Sequence, residues 1–355
     1  MRTPHTHFAA LVLTACLLLG TSGAGAQQDA PPAAKPTEHK PTTAKKPAKP
    51  APAKPAAPKP AEAATAPAPT PAGPPDAAFG AFQRGYYLTA FNEATKRIDA
   101  NGDPKAMTLL GELYANGLGV PRNDAKAVEW YKLAADRGDA NAMFALATFH
   151  IAGRGGLKDK SEAVRLFAAA AKLGHTAATY DLGLLYLGGS ELPQDDRRAA
   201  ELFRTAAQAG SPEAMYALAV LYREGRGVPK DENAATRLLH DAALADNLDA
   251  EVEYGIALYN GTGTPKDEAA AAKILRRAAL QGSPIAQNRL AHLFMSGRGV
   301  TPDPIAAMKW HIIAKAGGLA DTALDEYTSK QSAEARTAAE AAARPWVRAI
   351  AMSRS

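Results

Sequence analysis

Cysteine is nearly absent from this 355-residue chain, which carries one, Cys16. If the chain is cut after Ala26 the remainder has none, and both disulfides and thiolate metal sites are excluded. An exported protein of that kind draws its stability from packed surface rather than from cross-links. Long apolar runs are lacking as well. Phe8 to Gly20 is the one candidate, and it falls short of the roughly twenty residues that span a bilayer. Histidine offers little chemistry. His5, His7 and His39 lie near the start, and none of His150, His175, His240, His292 or His311 is three or four residues from another His or a Cys, so no ligand pair sits on one helical turn. No nucleophile elbow or phosphate loop occurs in strand context. Catalysis, cofactors, bound metal and a small-molecule substrate are therefore not expected.

Residues 1–26 have the form of a signal peptide, with Arg2 as the positive start and Ala24-Gly25-Ala26 as a small-residue cleavage site. Leu13-Thr14-Ala15-Cys16 also resembles a lipobox, which would leave a lipoprotein anchored at Cys16, although Leu17 to Leu19 continue the apolar run past that cysteine. Residues 27–75 are almost entirely Ala, Pro, Lys and Thr. With no large apolar residue to bury, such a segment is expected to be a disordered, proline-stiffened linker. Its seven lysines against Asp29, Glu38 and Glu62, together with Arg2, account for the whole net charge of +5. Residues 76–355 are thus formally neutral and lack the basic footprint that nucleic acid requires. The linker is a solvated tether or a weak contact for anionic wall polymers such as peptidoglycan.

What the chain has in abundance is alanine in register. Ala106, Ala142, Ala178, Ala214, Ala250 and Ala286 are spaced by 36, as are the columns beginning at Ala127 and Ala134. A fixed period of this size over six copies is the signature of a repeat array. Each unit reads as two helices. Asp103, Asp139, Ser211 and Ser283 are N-caps for the first, with Pro104, Pro212 and Pro284 behind three of them. Glycine pairs such as Gly117/Gly119 and Gly225/Gly227 end it, where positive φ is free of penalty. Asn123, Asp159, Asp195, Asp231, Asp267 and Asp303 cap the second helix, which closes near Gly138, Gly174, Gly210, Gly282 and Gly318. The alanine columns belong where helices meet, and Trp130, Leu166, Leu202, Leu238, Ile274 and Trp310 are expected to fill the remaining gaps from the second helix. Leu110, Leu146, Leu182, Leu218 and Leu290 do so from the first, with Tyr254 departing from the pattern. Glu191 replaces a loop glycine in the third repeat and Asp246 a closing glycine in the fourth, so those two turns are expected to be the least regular. His150 shares a repeat position with Tyr114, and His311 with Tyr131, which points to packing roles for both.

The pattern A-x3-L-G-x2-Y-x2-G-x-G-V from Ala106 to Val120, followed by Ala127-Val128-Glu129-Trp130-Tyr131-Lys132-Leu133-Ala134-Ala135, resembles the Sel-like repeat, a subclass of the tetratricopeptide repeat. The resemblance covers roughly residues 104–320. It implies an all-α, right-handed α-α superhelix of about six 36-residue hairpins. A partial hairpin is expected over 76–103 and a C-terminal cap and tail over 321–355, with a capping helix from Ser332 to Ala343 and Trp346 packed. Members of the family serve as scaffolds in envelope signalling and wall maintenance. Some cysteine-rich members have been described as penicillin-binding or β-lactamase proteins, but those depend on paired cysteines.

The resemblance thus implies a non-enzymatic exported adaptor or regulator, periplasmic or secreted, that binds an envelope protein or peptide segment. The other reading is a structural envelope component whose linker contacts peptidoglycan. On the tetratricopeptide register, three first-helix columns line the concave face. They run Thr108, Phe144, Tyr180, Tyr216, Val252, Asn288; then Glu112, Thr148, Leu184, Val220, Ile256, His292; then Ala115, Ile151, Leu187, Arg223, Tyr259, Met295. From these, Phe144, Thr148, Tyr180, Leu184, Leu187, Tyr216, Val220, Arg223 and Tyr259 form the candidate partner-binding groove, with Asn141 and Glu213 among its polar contacts. The aromatic run Phe144, Tyr180, Tyr216 is its centre.

Overall fold

The computed structural model describes residues 76–354 apart from Leu157 and Glu191. The expected leader, the linker and the departure at Glu191 lie outside these residues. Among the described residues there are sixteen α-helices, one short 3-10 turn and no strand. Helices α1 (Ala77–Gln83) and α2 (Tyr87–Asn101) form a short leading hairpin. Six hairpins follow: α3 (Pro104–Asn116) with α4 (Asp124–Ala135), α5 (Ala140–Ala152) with α6 (Lys160–Lys172), and α7 (Thr176–Gly188) with α8 (Asp196–Gln208). Then come α9 (Pro212–Glu224) with α10 (Glu232–Leu244), α11 (Leu248–Asn260) with α12 (Glu268–Leu280), and α13 (Pro284–Ser296) with α14 (Pro304–Ala316). Helices α15 (Thr322–Ser329) and α16 (Ala333–Arg354) close the chain. Through the six repeats each helix packs on the one before it and the one after it, which makes an α-α solenoid.

Every second helix is capped as its sequence dictates, since Asn123, Asp159, Asp195, Asp231, Asp267 and Asp303 each accept an amide from the first turn. The first helices use Asp103, Asp139, Ser211 and Ser283, and also His175 and Asn247, whose side chains accept from Ala178 N and Ala250 N. All three alanine columns are buried, none above 3 % exposed. A methyl there lets backbones approach closely. The deepest large side chains of the second helices lie one residue beyond the expected column, at Tyr131, Phe167, Phe203, Leu239, Leu275 and His311, each 4 % exposed or less. Of the expected column, Leu166 and Trp310 are buried and the others half-buried. Gly111 and Gly183 explain the offset, because a Cβ on either would come within 2.5 Å of Tyr131 and 2.6 Å of Phe203. The ring one position on fills the space each glycine leaves.

Loop glycines serve two different needs. At Gly227, Gly263 and Gly299 a Cβ would stand 2.1, 2.2 and 2.0 Å from the carbonyl oxygens of Asp196, Glu232 and Glu268, in the preceding repeat's second helix. These positions need glycine for close approach as well as for φ. At the closing positions Gly138, Gly174, Gly210 and Gly282 nothing lies within 4 Å, so only positive φ is required. Asp246 meets that requirement with φ 62°, and the next residue, Asn247, caps α11 as its counterparts do. The fourth-repeat turn therefore keeps the regular path, contrary to the expectation of irregularity, because aspartate tolerates the left-handed region and its side chain is exposed. The departure lies instead in the second repeat, where Arg154–Gly156 forms a 3-10 turn.

The C-terminal cap is longer than its sequence suggests. Helix α16 runs through Pro345 to Arg354 and packs along α14. Trp346, Val347 and Ile350 press on the core of the last repeat, with the Trp346 ring 5.7 Å from that of Trp310. That apolar contact offsets the hydrogen bond proline removes.

Candidate functional site

Side chains join first helices of successive repeats, as where Tyr216 and Arg223 of α9 reach Glu253 of α11. At roughly 100° per residue, the centre of the first-helix face holds the columns starting at Lys105, Leu109, Glu112 and Asn116. The columns of Thr108 and Ala115 lie to one side, on the flank that meets the following repeat. Thr108 donates to Asp139 at 3.0 Å, and Tyr216 donates to Glu253 at 3.4 Å. Arg223 also pairs with Glu253.

The nine candidate residues do not divide along that line. Tyr180, Leu184, Leu187, Tyr216 and Val220 are buried, between 1 % and 9 % exposed. Tyr180 packs its ring 5.5 Å from Phe203, and Leu184 and Leu187 join the same core. Val220 and Tyr216 belong to the core of the fourth repeat. Phe144 is half-buried, stacked 4.5 Å from the His175 ring, and Thr148 donates to the Ala145 carbonyl at 2.7 Å. Arg223 and Tyr259 are half-exposed. The aromatic run thus contributes mainly to packing between helices. Spacing alone could not tell which positions the neighbouring helices cover.

Two columns carry the charge, and sequence reasoning took only Asn141 and Glu213 from them. One is Lys105, Asn141, Ala177, Glu213, Asp249, Ile285, exposed throughout; the other is Leu109, Ala145, Asp181, Ala217, Glu253, Arg289. They place four carboxylates, Asp181, Glu213, Asp249 and Glu253, across repeats three to five. Burial, and then the charge of Glu213, pushes the Asp181 carboxyl up to about 7. Partial desolvation against its neighbours, and then the charge of Glu253, raise the exposed Asp249 carboxyl. Arg223 is held charged despite its burial, because the Glu253 carboxylate beside it outweighs the desolvation. The face turns basic in repeat six, at Arg289.

There the face also opens. Between α11 and α13 lies a cleft of about 310 Å³, with Ile256, Leu275, Leu293 and Met295 supplying apolar surface and Tyr259, Arg289 and Arg298 polar groups. Arg298 shares its repeat position with Arg154 and Arg226. Those two reach back thirty residues to staple adjacent repeats, Arg154 to Asp124 at 2.7 and 3.1 Å and Arg226 to Asp196 at 3.0 and 3.1 Å. The equivalent partner of Arg298 is Glu268, but Lys266 holds Glu268 at 2.8 Å. Arg298 turns instead into the cleft and donates to the Tyr259 hydroxyl at 2.7 Å. A column of arginines with one altered partner was the available sequence signal for this residue.

The histidines are integrated in the fold. His311 is 2 % exposed and bonded to Asp325 at 2.8 Å, His150 is buried at 7 %, and His292 meets Asp321 at 2.8 Å. Among the described residues no group of three or more His, Cys, Asp or Glu is placed to hold a metal ion, and no helix is long and apolar enough to cross a membrane.

The Sel1 repeat model matches six consecutive units, residues 104–139, 140–175, 176–211, 212–247, 248–283 and 284–319. Among solved structures, a Sel1 repeat protein from Oxalobacter formigenes is similar at 28% identity and a TM-score of 0.58, over 67% of this chain and 96% of that one. A protective antigen present in uropathogenic Escherichia coli strains, displaying an SLR fold, is similar at 27% identity and a TM-score of 0.52, over 74% of this chain and 64% of that one. No curated protein matches.

Proposed function

The chain belongs to the Sel1 repeat family, a protein-interaction fold, and on that premise we propose that it is a non-catalytic scaffold binding a partner polypeptide along its first-helix face. The observation that carries this reading is the charge pattern of that face. Asp181, Glu213 and Asp249 make no ion pair among the described residues, and neither does Arg289. Unpaired like charges gathered on one face cost stability unless a partner compensates them. A face kept in that state across three repeats is selected for something other than the stability of the solenoid.

The partner meets polar and charged groups over repeats three to five and apolar ones near Phe144 and in the cleft by Tyr259. Export is part of the proposal, supported by the sequence of residues 1–26, and it makes the partner an envelope or secreted protein. The test is affinity capture of envelope proteins on the full mature chain, compared with the variant Asp249→Lys/Arg289→Glu. Both positions are exposed, so the variant keeps its fold and its helical circular dichroism. A protein retained by the wild type and lost by the variant supports the reading. Equal retention moves binding to the opposite face or the linker, and sedimentation with purified cell wall that depends on residues 27–75 favours the structural role.

A further inference from the structure

We propose that the outer side of the second helices in repeats four to six docks on an anionic lipid bilayer, its cations meeting the headgroups and Leu244 and Leu280 entering the interface. This surface is separate from the first-helix face, so the assignment stands or falls independently of the binding proposed there.

The first observation is the sorting of charge. Residues 76–355 are neutral in sum, yet the two helices of a repeat share that charge unequally. Repeat five is the extreme: α11 carries Asp249, Glu251 and Glu253 and no base, whereas α12 carries Lys273, Arg276 and Arg277 against Glu268 alone. Helices α10, α12 and α14 together hold three carboxylates. Glu232 and Glu268 are paired with Lys230 at 3.1 Å and Lys266 at 2.8 Å, and Asp241 lies beside His240 at 3.1 Å. Against them stand six Lys and Arg. Arg277 pairs with the buried Glu251, and Lys315 with Asp325. The other four, Arg237, Lys273, Arg276 and Lys309, make no ion pair among the described residues; Arg276 lies over the Phe294 ring and Lys309 over that of Trp310.

Register is the second observation. Arg237, Lys273 and Lys309 occupy one repeat position in three successive repeats, and seven residues further on Leu244 and Leu280 share another. Seven residues make about two helical turns, so cation and leucine stand on one side of each helix, with Arg276 between them in α12. The leucines are 68 % and 54 % exposed. In the other four repeats their position holds Asp136, Lys172, Gln208 and Ala316, so the packing of the array does not call for an apolar residue there. Exposed leucine beside unpaired cations suits a surface lying in a bilayer interface, where the apolar group leaves water and the cations stay at the headgroups. A hydrophilic anionic polymer would engage the cations and leave the leucines in water, which favours lipid. The carboxylates of α11 are repelled by the same surface, so only the second-helix side is drawn to it.

The test is flotation of the full mature chain with vesicles of phosphatidylcholine, and of equal parts phosphatidylcholine and phosphatidylglycerol. The expected result is association with the anionic vesicles alone, weakening as salt rises. Lys273→Gln/Arg276→Gln should lower the partition coefficient by about 25-fold, at about fivefold for each cation removed from an anionic surface. Leu244→Ser/Leu280→Ser should lower it by at least about tenfold, since two leucines then no longer leave water. All four positions are exposed, and helical circular dichroism and melting are expected to match the wild type in both variants. No association with anionic vesicles overturns the assignment. So does association that both variants retain, which belongs to the lysines of residues 27–75. A loss confined to the charge variant, with the leucine variant binding as the wild type does, identifies a hydrophilic polymer as the ligand and overturns the lipid assignment.

Discussion

Gly227→Ala and Gly210→Ala are the same substitution at two positive-φ turns of neighbouring repeats, and the fold requires unequal consequences. At Gly210, φ is 90° and nothing lies within 4 Å of the new Cβ. The cost is the left-handed penalty alone, about 1–2 kcal/mol. At Gly227, φ is 67° and the Cβ would stand 2.1 Å from the Asp196 carbonyl oxygen and 2.6 Å from Arg197 N. Backbone must move by more than ~1 Å to reach ordinary contact, which adds an overpacking cost of about 1–3 kcal/mol. The bidentate Arg226–Asp196 pair beside it is disturbed as well. Gly227→Ala should therefore destabilise by roughly 2–5 kcal/mol against 1–2 for Gly210→Ala. Urea unfolding followed by circular dichroism measures the difference. Because repeat arrays can open in parts, amide exchange supplies the local readout. Exchange at the start of α8 should rise for Gly227→Ala and stay unchanged for Gly210→Ala. Equal losses, or no added exchange near Asp196, would falsify the claim that this glycine is required for contact between repeats.

Ala206, 1 % exposed between helices, should cost about 1–3 kcal/mol when changed to Leu, and an unchanged melting temperature refutes the close-approach role of the alanine columns. Asp246→Gly relieves a non-glycine residue at φ 62° and should stabilise by up to about 1 kcal/mol in urea unfolding; destabilisation would show that the aspartate side chain has a task of its own. Asp181 carries the pH dependence: its carboxyl is raised from 3.8 to about 7 by burial and Glu213, so the folded state holds its proton more tightly. That contribution is complete below about pH 4 and is lost as pH rises through 7, with an upper bound of about 4 kcal/mol. Asp181→Asn should flatten stability over that window and gain most at pH 8, whereas parallel curves for the two proteins would mean the carboxyl is solvated.

The period, the hairpins and their ends were legible in the sequence because they depend on local rules. N-caps at Asn123 through Asp303 act within one turn, glycines end helices through their own φ, and alanine columns mark contacts repeated at fixed spacing. The positions that the sequence misplaced depend on neighbours distant in the chain. Tyr180 and Tyr216 look like an aromatic stripe on a helix wheel, yet the flank they occupy is covered once Phe203 and the following first helix are set against them. Whether Asp246 would disrupt its turn depended on its exposure in the folded chain, which no spacing records, and α16 continues past Pro345 because the last repeat offers Trp346 an apolar seat. Arg298 makes the same point for the candidate site. Its column was visible from the sequence, but the Tyr259 hydroxyl, thirty-nine residues away, standing close enough to accept from its guanidinium is a fact of tertiary packing.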